Sequence, residues 1–167
     1  MDHKYFMHRI QLENGTFSKG IEIHDTLDRA ILAFWGRMKL AYGASAISFM
    51  SCKITDIDGN VIAPYDMTWK ADDVSIEVLF LHHIRLDGGS YTKDIDICNT
   101  FNAARASFAA HMEYGYYNPN HSSVELVDCM ITDMGGAVMK PYNETWRIPD
   151  PEPEPPTPEQ QQNQNVE

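Results

Sequence analysis

Two histidines stand in matching surroundings, His8 in HRIQL and His82 in HHIRL, and each falls on the apolar side of an alternating run. Phe6, His8, Ile10 and Leu12 recur as Phe80, His82, Ile84 and Leu86, spaced by two as on one face of a strand. Imidazoles kept at an inward position in two equivalent segments can meet across a pseudo-twofold axis. There they would share a hydrogen bond, titrate as a pair, or begin a metal site. Other imidazole donors are His3, His24, His83, His111 and His121. None has helical i, i+4 spacing, and adjacent His82 and His83 point to opposite faces of a strand. A structural metal site normally closes with four ligands. The expectation is a hydrogen-bonded core pair with no metal and no cofactor, with ligation at His8 and His82 kept as the alternative.

Asp56 and Asp133 also repeat, each after a threonine, Thr55 and Thr132. Two symmetry-related carboxylates could act as an acid/base pair. Each stands just before a hairpin turn, however, where Asp commonly binds its own backbone. The DIDG run Asp56–Gly59 lacks the rest of a calcium loop, and the second copy has Gly135 where the first has Asp58. Three widely spaced cysteines make neither a disulfide framework nor a CxxC knuckle. Cys52 and Cys129 sit among alternating apolar residues and read as small buried hydrophobes. No GxSxG, Walker A, HExxH or GxGxxG pattern is present, which leaves the sequence without an enzyme signature.

Binding chemistry is better represented. The pairs Tyr65/Trp69 and Tyr142/Trp146 close two equivalent segments, where they would pin a last strand or line a cleft that stacks a planar ligand. Lys19 and Lys93 are equivalent cations after a turn, solvated or in contact with an anion. Ile31 and Trp35 widen an apolar helix stripe, whereas the matching residues are Arg105 and Ala109, so the first copy gains a contact surface. Tyr116 and Tyr117 open the segment GYYNPNHSS, an aromatic-flanked loop suited to contacts.

What positions these residues is a tandem duplication. Cys52–Lys70, CKITDIDGNVIAPYDMTWK, matches Cys129–Arg147, CMITDMGGAVMKPYNETWR, at an offset of 77, with ten of nineteen residues identical. Upstream, HRIQLENGTFSKGIEIHDT matches HHIRLDGGSYTKDIDICNT at an offset of 74. Each unit reads as a strand, a Gly-containing turn and a second strand with Ile21 and Ile23 or Ile95 and Ile97. A helix follows after Asp25-Thr26 or Asn99-Thr100 caps, with a stripe Leu27, Ala30, Phe34, Met38, Tyr42 or Phe101, Ala104, Phe108, Met112, Tyr116. A third strand, a hairpin at Asp58-Gly59 or Gly135-Gly136, and a short fourth strand complete it. The expected fold is α+β: a β-β-α-β-β unit in 1–72, a second in 73–148 packed on the first, and antiparallel sheets each covered by one helix. Only Ala71-Asp72-Asp73 separates Trp69-Lys70 from the next apolar run, too short for an independent linker. The Pro-, Glu- and Gln-rich stretch 149–167 cannot bury enough apolar surface to order itself and is expected as a disordered tail.

The formal charge is −11, and the five acids of the tail leave −6 for the rest. With no Lys/Arg cluster, nucleic acid and anionic membranes are poor partners. No apolar run approaches a membrane span, and the N-terminal residues lack the apolar core of a signal peptide.

A lysine after the first hairpin, a DT-type cap, an Ala/Phe helix, then YG, ITDxxG and a terminal Trp before a Pro/Glu tail make a recognisable order. Here they are Lys19, Asp25-Thr26, Ala30/Phe34, Tyr42-Gly43, Ile54-Thr55-Asp56, Gly59 and Trp69 with their second-copy partners. The order resembles short, uncharacterised proteins encoded by phages and prophages of gut bacteria, usually single-copy. The resemblance carries over no activity; the expectation for this chain is a non-enzymatic accessory protein of the host cytoplasm, acting through protein–protein contacts or self-association. Sequestration of a small nucleotide-like ligand between the copies, as in counter-defence, is the second expectation, and a virion or assembly component the third.

Overall fold

The computed structural model describes residues 3–72, 74–116 and 123–149. The first unit comprises β1 (Tyr5–Glu13), β2 (Thr16–His24), α1 (Leu27–Gly43), β3 (Ile47–Asp56) and β4 (Val61–Lys70). The second comprises β5 (Leu79–Asp87), β6 (Ser90–Cys98), α2 (Phe101–Tyr116), β7 (Val124–Thr132) and β8 (Val138–Arg147). Each unit forms one antiparallel sheet, ordered β2-β1-β3-β4 and β6-β5-β7-β8. Residues 150–167 of the tail, Tyr117 and His121 lie outside the described residues.

Alternation along each strand sorts side chains into three cores. Phe6, Ile10, Leu12, Ile21 and Phe49 from the first sheet meet Phe80, Ile84, Ile95 and Leu126 from the second, so the two sheets pack face to face. Phe49 stacks on Phe80 with ring centroids 5.9 Å apart. The opposite face of the first sheet, with Met7, Met50, Cys52 and Ile54, receives Ala30, Phe34, Met38 and Ala41 of α1. The second sheet offers Leu81, Val127, Cys129 and Ile131 to Ala104, Phe108 and Met112 of α2. The order of layers is helix, sheet, sheet, helix. Sharing the middle core is what lets two small units bury enough surface to be stable.

Both helices begin on a threonine cap: Thr26 Oγ1 accepts from Arg29 N at 3.3 Å and Thr100 Oγ1 from Ala103 N at 3.1 Å. The helix stripe ends differently from the sequence expectation. Successive steps of four drift by about 40° each, so Tyr42 rotates off the buried side while Ala41 returns to it. Tyr42 is 56% exposed and Ala41 2%. The fourth strands are also longer than expected, ten residues each. The connection between units runs from Ala71 to Val78, and Val74 and Val78 pack against the middle core. It is a structural part of the seam.

Candidate functional site

His8 and His82 meet at the centre of the seam. Their Nδ1 atoms are 3.0 Å apart, His8 Nε2 lies 2.9 Å from Thr55 Oγ1, and His82 Nε2 lies 2.8 Å from Thr132 Oγ1. All four ring nitrogens are therefore used within the protein. Burial holds His8 down at about 3, with Lys53 adding to the effect, and holds His82 well below its ordinary value. The pair is a neutral hydrogen-bonding element of the core.

Two further charged groups lie in this seam. Lys53, 2% exposed, donates to Asp66 Oδ2 at 2.9 Å and to the carbonyl of Gly136 at 3.2 Å. Asp128, 6% exposed, accepts from Thr145 Oγ1 at 2.6 Å, and burial raises its carboxyl to about 6. Each hairpin crosses to the other unit. Gly59 (φ +80°) lies against Asp128 and Thr145, and Gly136 (φ +82°) against Thr68 and Ser51. Arg147 Nη1 clamps Asp58 Oδ1 at 2.7 Å across the same junction. Asp56 and Asp133 serve their own turns: Asp56 Oδ1 accepts from Asp58 N and Asn60 N, Asp133 Oδ1 from Gly135 N and Ala137 N, all at 2.8–2.9 Å.

The aromatic pairs separate. Tyr65 and Trp69 pack beneath α1, and Tyr142 and Trp146 beneath α2, on opposite outer layers, so the four do not share a cleft. Phe34 meets Tyr65 edge-on at 5.6 Å, and Phe108 meets Tyr142 at 5.5 Å. Lys19 pairs with Asp94 Oδ1 at 3.1 Å across the edge of the two sheets, while Lys93 sits half-buried on β6. A cavity of about 490 Å³ lies beside the connection between units, lined by Lys70, Ile76, Glu77, Thr100, Phe101 and Asp133 among others.

On α1, Ile31 is half-buried against the helix core. Trp35 stands edge-on to Phe34 at 5.2 Å and is 46% exposed, with Leu32 beside it at 76%. Tyr116 is exposed at the end of α2, its hydroxyl donating to Glu144.

Sequence reasoning missed a group on the outer side of the second sheet. His83 of β5, Asp96 of β6 and His111 of α2 converge, with His83 Nε2 3.6 Å and His111 Nε2 3.7 Å from Asp96 Oδ2. The two imidazoles stack with centroids 4.0 Å apart and planes 15° from parallel. The signal was present in the offset of 74. The matching residues are Arg9, Glu22 and Arg37, so both cations become histidine while the acid stays.

No family model, no curated protein and no solved structure matches the chain. The fold defines a duplicated α+β protein whose two sheets close on a shared apolar core that encloses a few buried polar groups. Among the described residues no helix is long and apolar enough to cross a membrane.

Proposed function

We propose that the chain is a non-enzymatic accessory protein of the phage type that works by protein–protein contact, and that its contact face is the outer side of α1, taken by a second copy. The observation that carries this is one line of side chains. Leu32 and Trp35, 76% and 46% exposed, lie between exposed Asp28 and Lys39, and the four fall within about 60° around the helix. The matching residues on α2 are Asn102, Ala106, Ala109 and Glu113, all small or polar. Exposing an indole and a leucine side by side costs solubility unless something covers them.

The line is complementary to itself. Two α1 helices packed antiparallel about a twofold axis between residues 33 and 34 set Leu32 against Trp35 of the other copy. The same register sets Asp28 against Lys39. Each contact occurs twice, as an isologous interface requires. Gly36 presents no side chain and has open space around it, which leaves room for the approach. A face of one helix is a small interface, so a reversible dimer in the micromolar range is expected.

A nucleotide-like ligand finds less support. The seam between the copies is filled by the middle core, and the cavity at Lys70 also carries Glu77 and Asp133, whose charges oppose a polyanion. Sedimentation equilibrium tests the dimer: the parent should show a concentration-dependent mass, and Leu32→Ala/Trp35→Ala should be monomeric with unchanged circular dichroism. A parent that stays monomeric at about 100 µM, well above the expected dissociation constant, contradicts the reading.

A further inference from the structure

We propose that His83, Asp96 and His111 form a binding site for a divalent transition ion of the zinc class, with a coordination position open toward the cavity beside Arg85. Two imidazole nitrogens and one carboxylate oxygen are a standard donor set for such ions when a fourth position is left for another ligand. All three donor atoms lie within 4.8 Å of one another, and the two nitrogen-to-oxygen separations are 3.6 and 3.7 Å. Zinc bonds of about 2.0–2.2 Å in a tetrahedron place donors about 3.4 Å apart, so the two nitrogen-to-oxygen separations close by a few tenths of an ångström. The imidazoles, stacked 15° from parallel, must swing out of the stack to aim both lone pairs at one ion.

Comparison of the two copies supplies an independent argument. In the first copy Arg37 Nη2 lies 3.1 Å from Glu22 Oε1, and Arg9 stands where His83 does, so two permanent cations surround one acid. The second copy keeps the acid and replaces both guanidinium groups, which cannot ligate a cation, with imidazoles, which can.

The surroundings suit an open site. Asp96 is steadied by Ser107, whose Oγ is 3.5 Å from Oδ2, in the manner of an outer-shell partner. A cavity of about 190 Å³ opens at His83 and His111 and is lined by Arg85, Thr92 and Tyr114. Arg85 stacks its guanidinium 4.2 Å from the Tyr114 ring centroid, and its Nε is buried with no hydrogen-bond acceptor among the described residues. The Arg85 guanidinium beside the fourth position favours an anionic ligand on the ion.

Titration of the full chain with Zn²⁺ alone, followed by calorimetry, tests the site. One ion per chain is expected, with affinity falling at least about tenfold in His111→Ala, since loss of outer-shell partners alone reaches that scale. The triple variant His83→Arg/Asp96→Glu/His111→Arg installs the first copy's residues and should fold while binding no ion there. Imidazole resonances of His83 and His111 in the parent should shift on adding Zn²⁺, a readout that needs no variant. Equal binding by the triple variant, or shifts confined to other histidines, would overturn the proposal.

Discussion

His8 and His82 face each other Nδ1 to Nδ1 at 3.0 Å, on the axis that relates the two halves of the chain. Only one of the facing nitrogens can carry the hydrogen, because two would collide and none would leave lone pair against lone pair. The ring that donates through Nδ1 must accept at Nε2 from its threonine, and the other must donate through Nε2. The row Thr55–His8–His82–Thr132 therefore runs in one direction, and the duplication loses its symmetry at its own centre.

Opposite tautomers are the direct consequence. Nitrogen-15 correlation spectra at pH 7 should show one ring protonated at Nδ1 and the other at Nε2. Identical tautomers in both rings would contradict the geometry.

Acid should destabilise the fold through the same pair. Above about 6.5, the unfolded value, both rings are neutral in either state and contribute no pH dependence. Below it the unfolded chain takes up protons that the buried rings refuse, His8 down to about 3 and His82 likewise depressed. Stability then falls with falling pH, by as much as about 2.7 kcal/mol per pH unit for two groups. Lys53, Thr55 and Thr132 face the pair and give the proton no acceptor carboxylate. Urea unfolding between pH 7 and 4 should show this slope, reduced in His8→Gln/His82→Gln relative to the parent.

Asp128 works in the opposite sense. Its folded value, raised to about 6, means the folded state holds a proton more tightly than the unfolded one, so ionisation at neutral pH costs stability. Asp128→Asn should stabilise at pH 7.5 by up to about 3 kcal/mol, with the gain shrinking as pH falls toward 4. The first copy has Ser51 at this place, hydrogen-bonded to Thr68 at 3.0 Å, which shows that an uncharged partner suffices there.

The crossed hairpins should be intolerant of side chains. A Cβ at Gly59 would lie 2.6 Å from Asp128 Oδ1 and would clash with Thr145, and one at Gly136 would clash with Thr68. Both glycines also have positive φ, so Gly59→Ala and Gly136→Ala combine backbone strain with overpacking. Losses of about 2–4 kcal/mol in chemical unfolding are expected. Gly15→Ala, where nothing lies within 4 Å, isolates the backbone part and should cost less.

Strands, turns and caps were legible because they are local: period two at Phe6–Leu12, Asn14-Gly15, and Thr26 each act over a few residues. The duplication made the meeting of His8 and His82 legible as well. The trio of His83, Asp96 and His111 was not, because its spacing is tertiary. His83 pairs with Asp94 in the ladder, Asp96 lies two residues further on, and His111 arrives on a helix packed over both. Lys53 and Asp128 were hidden for another reason: they replace Met130 and Ser51 of the opposite copy, so no repeated pattern marks them. Tyr42 was misplaced by extending a four-residue step past the point where helical drift carries it into solvent.

The reading of α1 as a face for a second copy rests on the register that sets Asp28 against Lys39. Charge reversal measures it most directly, by sedimentation equilibrium of Lys39→Asp, Asp28→Lys and the double variant. Each single variant should dissociate the dimer by placing like charges together, and the double variant should restore it to near the parent's affinity. Single variants that dimerise as the parent does, or a double variant no better than either single, would contradict the antiparallel α1 contact.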